Sequence, residues 1–156
     1  MPTETTLQSP LDMHIHFREG AMLDLVAPLT AATFAAGVIM PNLVPPVADL
    51  ERLKWYRSEV ERAVGQHVFE PYMALFFRNY SEAELIELKD HIIGIKLYPA
   101  GVTTNSEGGV ESVRAAEKTM AIMQEMGIPL LVHGEAPDSF VMDRESDFLP
   151  TYDDIA

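Results

Sequence analysis

Short β-prone runs alternate with longer amphipathic stretches along most of this chain, and that rhythm constrains the fold more than any other feature. It reads as successive βα units wrapped on a parallel sheet. The spacing predicts strands over residues 11–17, 38–40, within 68–77, 92–97 and 129–133. It predicts helices over about 22–36, 50–64, from Ser81 to near Asp90, and over 110–126. Gly37 is read as the glycine that closes the first helix, and Gly127 closes the last. Pro41, Pro45 and Pro46 force an extended loop before the second helix. Ser81 followed by Glu84 has capping-box spacing. Gly94 is the weak point of the fourth strand. The segment 98–109, rich in Gly, Thr, Asn and Ser, is expected to be a long mobile loop. Residues 134–156 carry acids and prolines and hint at one more helix. The expectation is five strands and four complete helices.

Composition narrows the function classes. Eleven Lys and Arg against 24 Asp and Glu give a formal net charge of −13. Such an acidic surface repels phosphate backbones and anionic lipid, which argues against nucleic-acid or membrane partners. No apolar run approaches the roughly 20 residues that cross a bilayer. The polar start MPTETTLQSP lacks the basic and apolar regions of a secretory signal. A soluble cytoplasmic protein is expected. With no cysteine, any metal must sit on histidine, carboxylate or modified lysine.

In parallel α/β folds the chemistry collects beyond the carboxyl ends of the strands. His14 and His16 lie near the end of the first predicted strand, Asn42 after the second, Arg78 after the third, Lys96 near the end of the fourth, and His133 at the end of the fifth. In His14-Ile15-His16 the period of two puts both imidazoles on one strand face, a natural ligand pair for one divalent ion. Alone, the pattern is equally compatible with one core histidine and one incidental one. Asp12 and Arg18 beside it weaken that bland reading. Lys96 sits among apolar residues on a strand that should be buried. It is either a lysine reaching for solvent at a strand end or a deprotonated amine that has taken up carbon dioxide; the resulting carbamate is anionic and can bridge two cations. His133, followed by Gly134 and Glu135, becomes a third imidazole candidate because the others share its rim. Glu135 either orients a ligand or is a surface carboxylate. Arg18 and Asn42 are candidates for gripping a substrate carboxylate, although Asn42 among prolines also suits a turn. His67 and His91 fall at the opposite rim and are assigned no role. Met120, Met123, Met126 and Trp55 are read as packing.

The runs HIHFREG from His14 and VIMPNLVPPV from Val38, then IKLYPA from Ile95, TTNS from Thr103 and PLLVHGE from Pro129, resemble in the same order the amino-terminal part of bacterial single-domain dihydroorotases. The resemblance runs from about residue 11 to about residue 149. It implies the first five strands and four helices of a TIM (β/α)8 barrel of the amidohydrolase superfamily, with residues 1–156 as a partial barrel domain lacking the carboxyl-terminal strands. The implied reaction is the zinc-dependent, reversible cyclisation of N-carbamoyl-L-aspartate to L-dihydroorotate in pyrimidine synthesis. By similarity, His14 and His16 hold one zinc, carboxylated Lys96 bridges it to a second, and His133 helps hold the second. Arg18 and Asn42 hold the substrate carboxylate, and Thr103 and Thr104 lie on a loop that closes over it. The family's fourth histidine and its general-base aspartate match no residue here and are expected beyond Ala156, so the chain alone is expected to be inactive. Self-association or a complementary carboxyl-terminal half is implied as partner. A hydantoinase or allantoinase type of hydrolase, and a non-catalytic half-barrel module, are the competing readings.

Overall fold

Pairing follows chain order. In a computed structural model, which describes residues 5–110 and 113–155, strands β1 (Leu11–Ile15), β2 (Ala36–Ile39), β3 (Glu70–Phe76), β4 (Gly94–Leu97) and β5 (Leu130–Val132) form one sheet in the order β1-β2-β3-β4-β5. Every pairing is parallel. The sheet curls into a half barrel, as neighbour-to-neighbour βα winding favours. Helices α1 (Gly20–Ala31), α2 (Leu50–Val64), α3 (Glu82–Leu88), α4 (Val113–Met126) and α5 (Arg144–Ile155) complete it, with a single 3-10 turn at Lys89–His91 after α3.

Local signals explain most boundaries. The Asp49 carboxylate caps α2 by accepting from the Arg52 amide at 2.8 Å, and Gly65 ends that helix at a φ of 65°. At α3 the Ser81 hydroxyl accepts from the Glu84 amide while the Glu84 carboxylate accepts from the Ser81 amide, so the capping box forms as expected. Each helix turns one apolar stripe inward: Leu23, Ala27 and Ala31 on α1, and Leu53, Tyr56, Val60 and Val64 on α2. These meet Ile15, Ile39, Met73, Leu75, Ile95 and Leu97 of the strands in the main core. The opposite sheet face carries a smaller cluster of Val38, Met40 and Ala74, with Ile93 and Leu131 against it.

Two expectations are corrected. The first helix does not run to residue 36, and Gly37 does not cap it. Helix α1 stops at Ala31, and Gly37 is a strand residue opposite Pro71. A Cβ there would run into the end of the Ile15 side chain, so the glycine serves close packing between β1 and β2. The alanine-rich run before it looks helical, but the tight turn after Ala31 overrides that propensity. At Gly94 a Cβ would stand 2.8 Å from the Pro129 carbonyl, so the close approach of the neighbouring chain requires a glycine there as well. The hint of a further helix after residue 134 is realised as α5.

Candidate functional site

The carboxyl end of β1 is irregular. Leu11 and Asp12 pair with Ala36 and Gly37, but Ile15 pairs with Ile39, so three steps on β1 oppose two on β2. Such a bulge re-aims the side chains beside it. Asp12 steadies it by accepting from the His14 amide at 3.0 Å. The Nε2 atoms of His14 and His16 converge to 3.0 Å, one donating to the other. Both rings are held toward the neutral form. For His14 the cause is burial, followed by the charges of Lys96 and His133. For His16, burial, His14 and Arg18 bring the pKa to about 4. Lys96, His133 and Arg18 thus stand within electrostatic reach of the pair.

Lys96, third residue of β4, is 3% exposed. Its ammonium donates to the Val132 carbonyl at 3.0 Å and stands 5.3 Å from the centre of the Tyr98 ring. Burial lowers its pKa to about 8, so a fraction of the amine is neutral near physiological pH. The next strand delivers His133, whose Nε2 meets a Glu135 carboxylate oxygen at 2.6 Å. With that nitrogen engaged, Nδ1 is the one left to serve an ion. Two converging neutral imidazoles, a third ring steadied by a carboxylate and a lysine amine of lowered pKa are donor types that suit a divalent cation. Unmodified lysine offers no anionic ligand, and among the described residues no three His, Asp or Glu side chains are grouped to hold an ion.

Asn42 is the hub of the polar part. It is 1% exposed. Its Nδ2 donates to the Thr104 carbonyl at 2.8 Å, and its Oδ1 accepts from the Tyr98 hydroxyl at 3.0 Å. Its backbone carbonyl accepts from Arg18 Nη1 and from Asn105 Nδ2, each at 3.2 Å. Arg18 has a left-handed φ of 62°, and its carbonyl accepts from the Tyr56 hydroxyl. Thr103 and Thr104 lie on the segment that lies over Asn42. Ser106, wholly buried, accepts from the Thr103 amide and donates to the Thr103 carbonyl. The ends of that segment are tied by Val110 N donating to Tyr98 O at 2.8 Å.

The eight candidates His14, His16, Arg18, Asn42, Lys96, Thr103, Thr104 and His133 therefore gather on one rim. Arg78 does not join them: it pairs with Glu84 at 2.8 Å, donates to the Ala48 carbonyl and lies over the Tyr80 ring. His67 and His91 are exposed at the far rim. Trp55 is not core packing; it is 42% exposed beneath the Arg52 guanidinium. Sequence reasoning missed Tyr98, Asn105 and Ser106. All three stand inside the recognisable runs, but nothing in one sequence marks their partners.

No family model matches the chain. A dihydroorotase from Idiomarina loihiensis is 45% identical over 150 residues, which are 92% of this chain and 44% of the relative. One from Cupriavidus pinatubonensis is 41% identical over 155 residues, 96% of this chain and 45% of its own length. The chain thus spans less than half the length of these relatives. The crystal structure of Campylobacter jejuni dihydroorotase superposes with a TM-score of 0.90 at 51% identity, over 97% of this chain and 47% of that one. A Saccharomyces cerevisiae dihydroorotase in complex with 5-fluoroorotic acid gives 0.83 at 34% identity, over 93% of this chain and 43% of that one. An L-hydantoinase from Arthrobacter aurescens gives 0.60 at 18% identity and shares the fold alone. By sequence and by backbone, the chain matches the amino-terminal part of dihydroorotases and of their TIM barrel.

Proposed function

We propose that residues 1–156 form a partial barrel domain that carries most of the metal ligands and the substrate clamp of a zinc-dependent dihydroorotase. The reaction is the reversible closure of N-carbamoyl-L-aspartate to L-dihydroorotate with loss of water. The observation that carries this reading is the convergence of the His14 and His16 Nε2 atoms at 3.0 Å on the rim that also holds buried Lys96. In this reading His14 and His16 would hold one divalent cation and His133 would help to hold a second. The neutral Lys96 amine would add to carbon dioxide, its nitrogen bonding to the carbon and a proton leaving to solvent, and the carbamate would supply the anionic oxygen ligand that the rim otherwise lacks. Bound divalent cations would supply Lewis acidity, polarising the reacting carbonyl and lowering the pKa of water. Arg18 offers its guanidinium and Asn42 its amide to the substrate carboxylate, and the Thr103–Thr104 segment covers it and keeps water out. A further histidine and a proton-transferring aspartate match no residue here, so a complementary carboxyl-terminal part is the proposed partner. No helix among the described residues is long and apolar enough to cross a membrane; a cytoplasmic location belongs to the same proposal.

The test mixes this chain with the carboxyl-terminal part of a relative in zinc and bicarbonate. Dihydroorotate turnover that appears only on mixing, and is lost with His14→Ala, supports the reading. Turnover of hydantoin without dihydroorotate would replace it with the hydantoinase type. A mixture that forms a complex with zinc bound yet turns over neither would overturn it.

A further inference from the structure

We propose that Tyr98 is a positioning residue of this site, acting through Asn42: its hydroxyl selects which end of the Asn42 amide faces the substrate. The inference deepens the dihydroorotase reading, since that reading makes Asn42 a carboxylate donor. An asparagine amide is nearly symmetric in shape, so only its hydrogen bonds distinguish its two orientations. In this structure two hydrogen bonds choose, with the His16 ring a further partner of the same side chain. Nδ2 donates to the Thr104 carbonyl, and Oδ1 accepts from the Tyr98 hydroxyl. Thr104 belongs to the segment over the site, and a substrate reaching Asn42 would take that carbonyl's place. Tyr98 belongs to the floor and stays. Flipping the amide would then turn Oδ1, an acceptor, toward the substrate carboxylate. It would also leave the buried Tyr98 hydroxyl proton without its acceptor, which opposes the flip.

The tyrosine is well fixed for this task. It is 1% exposed, stacks on Phe76 with centroids 5.3 Å apart, and lies 5.8 Å from the His133 ring. Its own backbone carbonyl accepts from Val110 and ties the base of the loop. Tyr98 thus joins the loop base, through its backbone carbonyl, to the amide of Asn42, through its hydroxyl, with its ring beside Lys96 and His133.

The test is Tyr98→Phe, which keeps the ring and removes the donor, read first by the Asn42 Nδ2 resonances in nitrogen-correlated spectra of this chain. A single, exchange-protected pair is expected in the parent and a doubled or broadened, fast-exchanging pair in Tyr98→Phe, with other backbone signals and zinc uptake unchanged. Affinity of the zinc-loaded chain for N-carbamoyl-L-aspartate should fall about tenfold. Unchanged Asn42 resonances would overturn the inference. If Tyr98→Phe does not fold, the Tyr98 hydroxyl proton is followed instead: protection must persist in Asn42→Asp, which keeps an acceptor, and vanish in Asn42→Ala; equal behaviour of the two overturns it. A parent chain that shows the protected amide but binds no N-carbamoyl-L-aspartate would count against the dihydroorotase reading and leave the positioning of Asn42 supported.

Discussion

Replacing Lys96 with methionine should stabilise the metal-free protein at neutral pH, and by less as the pH rises. Burial moves the Lys96 pKa from 10.5 to about 8. At about 1.4 kcal/mol per pH unit, keeping the charged form in the folded state costs about 3 kcal/mol. Methionine fills similar volume without charge but forfeits the hydrogen bond to the Val132 carbonyl, worth about 1 kcal/mol. The net gain at pH 7 is therefore about 2 kcal/mol. The sign of its pH dependence follows from proton counting. Between about 8 and 10.5 the unfolded chain holds a proton that the folded one has released, so parent stability rises with pH across that window. The advantage of Lys96→Met should shrink to near zero around pH 9.5, where roughly half the penalty remains and the lost hydrogen bond offsets it. Urea unfolding of both proteins in carbon-dioxide-free buffer with a chelator, from pH 7 to 9.5, reads the difference directly, because the other titrating groups largely cancel. A difference that does not change with pH, or a parent that is the more stable at pH 7, would refute the account of Lys96 as a penalised buried amine.

Ser81→Ala removes the cap of α3 and should cost about 1 kcal/mol at pH 7 by thermal melting. Glu84, held at a pKa of about 2 by the Ser81 hydroxyl and amide and by Arg78, contributes stability that is present above the ordinary glutamate value and lost as pH falls toward 2, so the gap between parent and Ser81→Ala should narrow at pH 3. Gly94→Ala sets a Cβ 2.8 Å from the Pro129 carbonyl and should destabilise by about 1–3 kcal/mol, while Gly108→Ala, with open space around it, serves as the matched control and should leave the midpoint nearly unchanged. Leu11 and Met13 are exposed on β1, which pairs only with β2 among the described residues, and Met22, Leu25 and Leu29 are exposed on α1. The isolated chain should therefore associate, and sedimentation showing a compact monomer, or no loss of mass in Leu25→Glu with Leu29→Glu, would contradict this.

The strands were readable where apolar residues had to face two layers at once. Glu70–Phe76 falls inside its expected run, and Gly94–Leu97 and Leu130–Val132 fall inside theirs. The misreading came where local propensity and tertiary packing disagree. Four of the six residues from Ala31 to Ala36 are alanines, the best helix formers, yet β1 and Phe69 approach so closely that only a glycine strand fits at Gly37. That demand comes from residues more than twenty positions away on one side and thirty on the other. No window centred on Gly37 contains it.

The site divides along the same physical line. His14, His16, Lys96 and His133 stood out because polar groups end strands that need only apolar ones, and the rim rule then groups them without coordinates. How they are held was not readable in the same way. The bulge that turns His14 toward His16 is a mismatch of three residues against two across separate strands. Asn42, which as a sequence feature suits a proline-rich turn equally well, is buried and held by partners 24, 56, 62 and 63 residues away. Residue type thus marks which atoms can bind an ion or a carboxylate, while the orientation of those atoms is set by hydrogen bonds closed only when β1 to β4 have paired in order. For this chain the orienting groups lie in the segments that follow the same five strands as the ligands, so substitutions such as Tyr98→Phe can be judged on the Asn42 amide itself, apart from turnover.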